Sequence, residues 1–137
     1  MKIFVLNCGS SSVKYKLYEM KDETVLAEGR VERLGQDDAV ITHQAAGKEK
    51  ISKTMSILEH TVAIQESVNL LTDPQYGVIE SVNEIDAVGH RVVHGGESFS
   101  DSVLVTERTK EILDSLAGLA PLHNPANVTG IRAAEKI

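Results

Sequence analysis

Phe4-Val5-Leu6-Asn7-Cys8-Gly9-Ser10-Ser11-Ser12-Val13-Lys14-Tyr15 passes from an apolar run into a polar turn and out again in regular alternation. The apolar run covers Ile3 to Leu6. The turn holds one amide, one glycine and three consecutive hydroxyls. Val13, Tyr15 and Leu17 then alternate with Lys14, Lys16 and Tyr18, a period of two. The reading is strand, Gly/Ser turn, strand. Such a turn can aim backbone N–H groups and hydroxyls at an anion, and Lys14 can add a positive charge. It is not a P-loop, which runs Gly-Lys-Ser/Thr into a helix. Gly and Ser also favour turns for purely conformational reasons, so an ordinary hairpin turn accounts for the same residues.

The apolar run predicts a strand over 2–7 and the alternation predicts strands over 12–19 and 24–34, with short links, an antiparallel meander. The first is apolar at both parities and is expected to be covered on both faces. Residues 35–38 read as a turn, and 39–42 and 48–53 as short strands joined through Ala45-Ala46-Gly47. Ser56 with Glu59 fits a capping box. Ile57, Thr61, Ile64, Val68 and Leu71 then recur at helical spacing until Asp73-Pro74. Residues 76–83 carry no clear period. Ile85 to Val93 reads as a buried strand, broken by Gly95-Gly96. Thr106 can cap a helix carrying Ile112, Leu113 and Leu116, with Gly118 at its end. Asn124-Pro125 is a cap followed by a first-turn proline, opening a helix with Val128, Ile131, Ala134 and Ile137 on one face.

The 137 residues suffice for one domain with a real core. Net charge is −6, which argues against a nucleic-acid surface but not against a local basic pocket for a phosphorylated ligand. No apolar run is long enough to span a bilayer and no signal peptide is seen, so no membrane partner and a cytoplasmic location are expected. The single Cys8 has no partner for an internal disulfide and reads as a small filler in the turn.

Two later stretches carry candidate chemistry. In Val88-Gly89-His90-Arg91-Val92-Val93-His94-Gly95-Gly96-Glu97, Arg91 is a planar fork suited to carboxylate or phosphate, with a salt bridge as its structural alternative. His90 and His94 are four apart on a strand-like segment, a poor chelate, and hydrogen-bonded structural roles are expected for both. Ala120-Pro121-Leu122-His123-Asn124-Pro125-Ala126-Asn127 links two helices, with Asn124 read as a helix cap.

Both stretches, with Val5 to Tyr15 before them, resemble the motifs of acetate kinases in that family's order. The family belongs to the acetate and sugar kinase and actin superfamily. The resemblance implies an α/β ribonuclease-H-like (actin-like ATPase) domain: a mixed sheet, the antiparallel meander first, with helices packed on it. Residues 1–137 are then the N-terminal such domain of a longer two-domain kinase, a homodimer when complete. It further implies transfer of the γ-phosphoryl of ATP to acetate, giving acetyl phosphate and ADP with Mg²⁺, or Mn²⁺ in its place. By the same resemblance Asn7 lies at the metal, acting through water. Ser10, Ser12 and Lys14, and more weakly Ser11, lie near the nucleotide phosphates. Arg91 binds the acid, Val93 and Leu122 line the pocket for its methyl group, and His123 lies nearby. The family's catalytic aspartate and its remaining site residues come later in the chain, so none is expected here. The isolated chain should fold but be inactive. A propionate kinase shares these motifs, and a non-catalytic nucleotide-binding actin-like domain is the alternative from another class.

Overall fold

A computed structural model describes the chain from Met1 to Ile137. Six strands and three helices follow in order: β1 (Lys2–Cys8), β2 (Ser12–Glu19), β3 (Thr24–Glu32), β4 (Gln36–Ala45), β5 (Ile51–Ile57), α1 (His60–Leu71), β6 (Ala87–His90), α2 (Glu107–Ser115) and α3 (Asn124–Glu135). The strands form one sheet in the order β5-β4-β3-β2-β1-β6. The first five run as an antiparallel meander, and β6 joins β1 in parallel. This is the mixed sheet with the meander first that the family resemblance implies, the meander having five strands where the apolar run and the alternation mark three.

Alternation places one side of each strand in the core. Phe4, Leu6 and Cys8 on β1, Val13, Tyr15 and Leu17 on β2, and Ala27 and Val31 on β3 are all buried. They meet Ala63, Ile64, Val68 and Leu71 of α1 in one apolar cluster. Fully burying a Leu or Ile side chain contributes roughly 1.5–3 kcal/mol, so this cluster is the main source of stability. Tyr15 fits by lying over Gly29, where a Cβ would collide with the Tyr15 hydroxyl. Helix α1 packs on β2 to β5, and α3 packs on α1, β1 and β6. All helices that touch the sheet lie on its apolar face. The expectation that β1 is covered on both faces is therefore corrected. Ile3, Val5 and Asn7 are only half-buried, and Lys14, Lys16, Glu28 and Arg30 beside them are exposed.

Three further expectations shift. Strands β4 and β5 are longer than predicted, because Arg33 and Gly35 take the left-handed conformation (φ 59° and 94°) and turn the chain within three residues. Ser56 caps no helix: it and Ile57 belong to β5, and the Ser56 hydroxyl lies 3.2 Å from Asp37 Oδ1. Glu59 precedes α1 without any side-chain cap. The strand expected over 85–93 is only four residues long. It is the sheet edge, so Val88 is exposed rather than buried. Helix α2 begins as predicted, with the Thr106 hydroxyl accepting from Thr109 N at 3.1 Å.

Candidate functional site

Strands β1 and β6 are parallel neighbours, so their C-terminal ends lie at the same edge of the sheet. The two motif loops leave from those ends: Gly9–Ser11 after Cys8, and the segment from Arg91 after His90. In open α/β sheets ligands bind at such carboxyl ends.

The first loop is tightly closed. Gly9 N donates to Ser12 O at 2.9 Å, Leu34 N donates to Ser11 O at 3.0 Å, and His60 Nε2 donates to Gly9 O at 2.7 Å. Ser10 and Ser11 are exposed, while Ser12 opens β2 and is half-buried. Asn7 and Lys14 pair directly across β1 and β2. Both project from the open sheet face and line a groove of about 420 Å³ with Lys16, Arg30, Thr42 and Gln44. Glu28 lines the groove too and lies 3.8 Å from Lys16 Nζ, and Arg30 pairs with Glu32 at 3.0 Å, which leaves Lys14 as the cation beside Asn7 able to meet an anion.

The second loop is fixed by backbone hydrogen bonds. Arg91 N donates to Leu6 O at 3.1 Å, extending the pairing with β1 by one residue. Beyond it, two amides of α3 take over. Asn127 Oδ1 accepts from Val93 N at 3.0 Å, and its Nδ2 donates to Cys8 O at 2.8 Å. Asn124 Oδ1 accepts from His94 N at 3.0 Å, and its Nδ2 donates to His94 O at 2.7 Å. Asn124 is therefore no helix cap. It lies inside α3, wholly buried, and satisfies both backbone groups of His94. The Arg91 side chain is exposed. Val93 and Leu122 are 38% and 78% exposed, so within this chain they bound an open surface rather than a closed pocket. His123 is exposed at the position before α3. Asn7 and Lys14 share the groove, Ser10 and Ser11 form the turn between their strands with Ser12 opening β2, and Arg91 and Val93 follow the neighbouring end of β6. Leu122 and His123 immediately precede the helix that holds Val93.

The histidines divide. His94 has the structural role expected of it, its Nδ1 accepting from Gly96 N at 2.8 Å. His90 Nδ1 donates to Arg91 O at 2.7 Å, but its Nε2 is buried with no partner, so the expected role is only half met. Burial holds His90 below its ordinary pKa, against the Arg91 carbonyl, which favours the charged form. Cys8 is a filler, at the end of β1 rather than in the expected turn: it is buried beside Gly130, and burial pushes its thiol up to about 12, away from the reactive thiolate. No group of three or more His, Cys, Asp or Glu side chains can hold a metal ion. Asn7 offers one neutral oxygen, which suits a hydrated ion carried in on a nucleotide but not a resident one.

Sequence reasoning missed Asn127 and His60. A signal for Asn127 was present: it neighbours the apolar face of Val128 and Ile131, where an amide must find partners. His60 left no signal, since nothing local ties it to Gly9.

A family model described as the Acetokinase family matches residues 2–137. The acetate kinase of Symbiobacterium thermophilum is 57% identical over 135 residues, covering 98% of this chain and 34% of that protein. The acetate kinase of Moorella thermoacetica is 56% identical over 137 residues, covering 100% of this chain and 34% of that protein. The crystal structure of Porphyromonas gingivalis acetate kinase superposes with a TM-score of 0.96 at 49% identity, over 99% of this chain and 34% of that one. A propionate kinase from Francisella tularensis superposes with a TM-score of 0.87 at 35% identity, over 98% of this chain and 33% of that one. These neighbours have the actin-like ATPase fold, as the sequence led us to expect. The chain spans about a third of the length of the relatives it matches.

Proposed function

Because the chain belongs to the Acetokinase family, we propose that it is the N-terminal domain of a longer kinase and supplies part of its active site. The complete protein moves the γ-phosphoryl of ATP to acetate, giving acetyl phosphate and ADP. The observation that carries this reading is the shared edge of β1 and β6. One strand end presents Asn7, the serine turn and Lys14, and the neighbouring end presents Arg91.

Phosphoryl transfer asks mainly for positioning and charge neutralisation. In this reading the Ser10–Ser12 turn and Lys14 hold the nucleotide phosphates. The Arg91 guanidinium holds the acid carboxylate as a two-pronged donor, and Val93 and Leu122 flank its methyl group. His123 stands near the same acid. Mg²⁺, when bound with the nucleotide, neutralises phosphate charge, and Asn7 is the group of this chain that can reach its water shell. An ionised carboxylate attacks phosphorus without giving up a proton, so the work of these residues is positioning and charge neutralisation, and the remainder of the site comes from the rest of the complete protein.

Trapping acetyl phosphate as its hydroxamate tests the reading. The complete protein should form hydroxamate only with ATP, a divalent ion and acetate together. The purified 137-residue chain should fold yet form none. Activity of the chain alone within about tenfold of the complete protein would overturn the half-site, and an inactive complete protein would overturn the kinase.

Propionate is the second acid to consider, since a propionate kinase superposes well on this chain. A non-catalytic nucleotide-binding domain is disfavoured by Arg91, whose fork beside the phosphate turn is idle without an acid substrate.

A further inference from the structure

The buried amide of Asn127 touches both halves of the site. It donates to the carbonyl of Cys8, the last residue of β1 before the phosphate turn, and accepts from the amide of Val93, two residues after Arg91. Asn127 is 2% exposed, and Asn124, one helical turn earlier, is fully buried and binds both backbone groups of His94. Segment 91–94 belongs to no strand or helix. Its geometry is set by the Arg91 N–H on Leu6 O, the His90 Nδ1–H on Arg91 O and these two amides.

We infer that Asn127 is a positioning residue: it sets the separation between the phosphate turn and the arm bearing Arg91 and Val93. The inference rests on the phosphotransfer reading above. Asn is the side chain that fits, because the link needs one donor and one acceptor from a single planar group at the first turn of α3. Asp in its place keeps the acceptor for Val93 N–H but sets a second oxygen against the Cys8 carbonyl. The arm then retreats from β1. Displacing a reacting group by about 1 Å can lower turnover by about 10²-fold even from a distance.

The test compares wild type, Asn127→Asp and Asn127→Ser in the complete protein, with kinetics expressed per folded molecule. The role predicts a kcat about 10- to 100-fold lower in Asn127→Asp. KM for the acid should rise, KM for ATP should stay within about threefold, and Asn127→Ser should fall between. The nucleotide turn is closed by its own bonds to Ser12 and His60, which is why ATP affinity should hold. A purely structural amide would lower Tm and the folded fraction while leaving both KM values and the kcat per folded molecule unchanged, and that result overturns the inference. Should neither variant fold, hydrogen exchange in wild type decides. Protection of the Val93 and His94 amides supports the link, and exchange at the rate of a free loop overturns it. A wild type without acid-dependent phosphoryl transfer removes the phosphotransfer reading, and the positioning role with it.

Discussion

The Tyr15 hydroxyl lies 2.7 Å from His43 Nδ1, deep between β2 and β4. His43 Nε2 lies 3.1 Å from the carbonyl of Tyr76. A carbonyl only accepts, so Nε2 carries the proton and Nδ1 accepts from Tyr15. His43 is 1% exposed and neutral, and its ring stacks on Tyr15 with centroids 5.9 Å apart. One histidine thereby ties the sheet to the segment following α1.

That burial makes stability pH-dependent. Burial holds His43 below its ordinary value of 6.5, against the Tyr76 carbonyl and Asp73, which favour the charged form. His90 is lowered by burial as well. A histidine with a depressed folded pKa contributes stability that is complete above the unfolded value, near 6.5, and is lost as pH falls through the folded value. Tm should therefore fall between about pH 7 and about pH 5, before carboxylates titrate. Tyr15→Phe leaves Nδ1 unpaired and should cost about 1–3 kcal/mol at neutral pH. Thermal melts across this range check both, and a flat profile would contradict the first.

Helix α3 approaches β1 and β6 closely at Gly130. A Cβ there meets Cys8 Sγ and Cβ and comes within 2.6 Å of His90 Nε2. Gly130→Ala gains up to about 1 kcal/mol of helix propensity but overpacks a buried contact at a cost of about 1–3 kcal/mol. The net effect should be a lower Tm. Gly118→Ala, where no atom lies within 4 Å, is the control and should change Tm little.

The legible parts of the sequence were those with local causes. The apolar run at Ile3–Leu6 and the alternation from Ser12 to Glu32 marked the first three strands of the meander, Thr106 marked α2, and the Gly/Ser turn marked one edge of the candidate site. Ser56 misled because its capping pattern with Glu59 is local, whereas its place in β5 depends on pairing with the far end of β4, near Asp37. The strand at Ile85–Val93 looked buried because an apolar run records hydrophobicity and not which neighbours exist. Here β6 is the sheet edge, and the chain leaves it at Arg91 to meet Asn127. Such contacts across more than thirty residues leave no periodic trace.

Val93 and Leu122 are proposed to bound the acid beside Arg91. Val93→Ala in the complete protein should make room and shift the ratio of specificity constants from acetate toward propionate. One methylene in an apolar pocket is worth about 1–3 kcal/mol, so the shift should be about tenfold or somewhat more. It should appear mainly in KM, because a methyl distant from the transferred phosphoryl contributes alike to ground and transition states. An unchanged ratio would remove Val93 from the pocket, and a wild-type preference for propionate would reassign the substrate.

The central claim is that this chain brings charge to a phosphoryl group and a carboxylate that react at the edge of β1 and β6. Its most direct test is acetyl hydroxamate formation by the complete protein carrying Lys14→Ala, Arg91→Ala or Arg91→Lys, with circular dichroism to show that each folds. Removing one preorganised donor to a developing charge typically costs about 10²–10³ in rate. Both alanine variants should lose turnover to that extent while keeping the wild-type Tm. Arg91→Lys should fail as well, because an ammonium cannot reproduce the two-pronged fork. Folded Lys14→Ala and Arg91→Ala proteins with wild-type turnover would contradict the account.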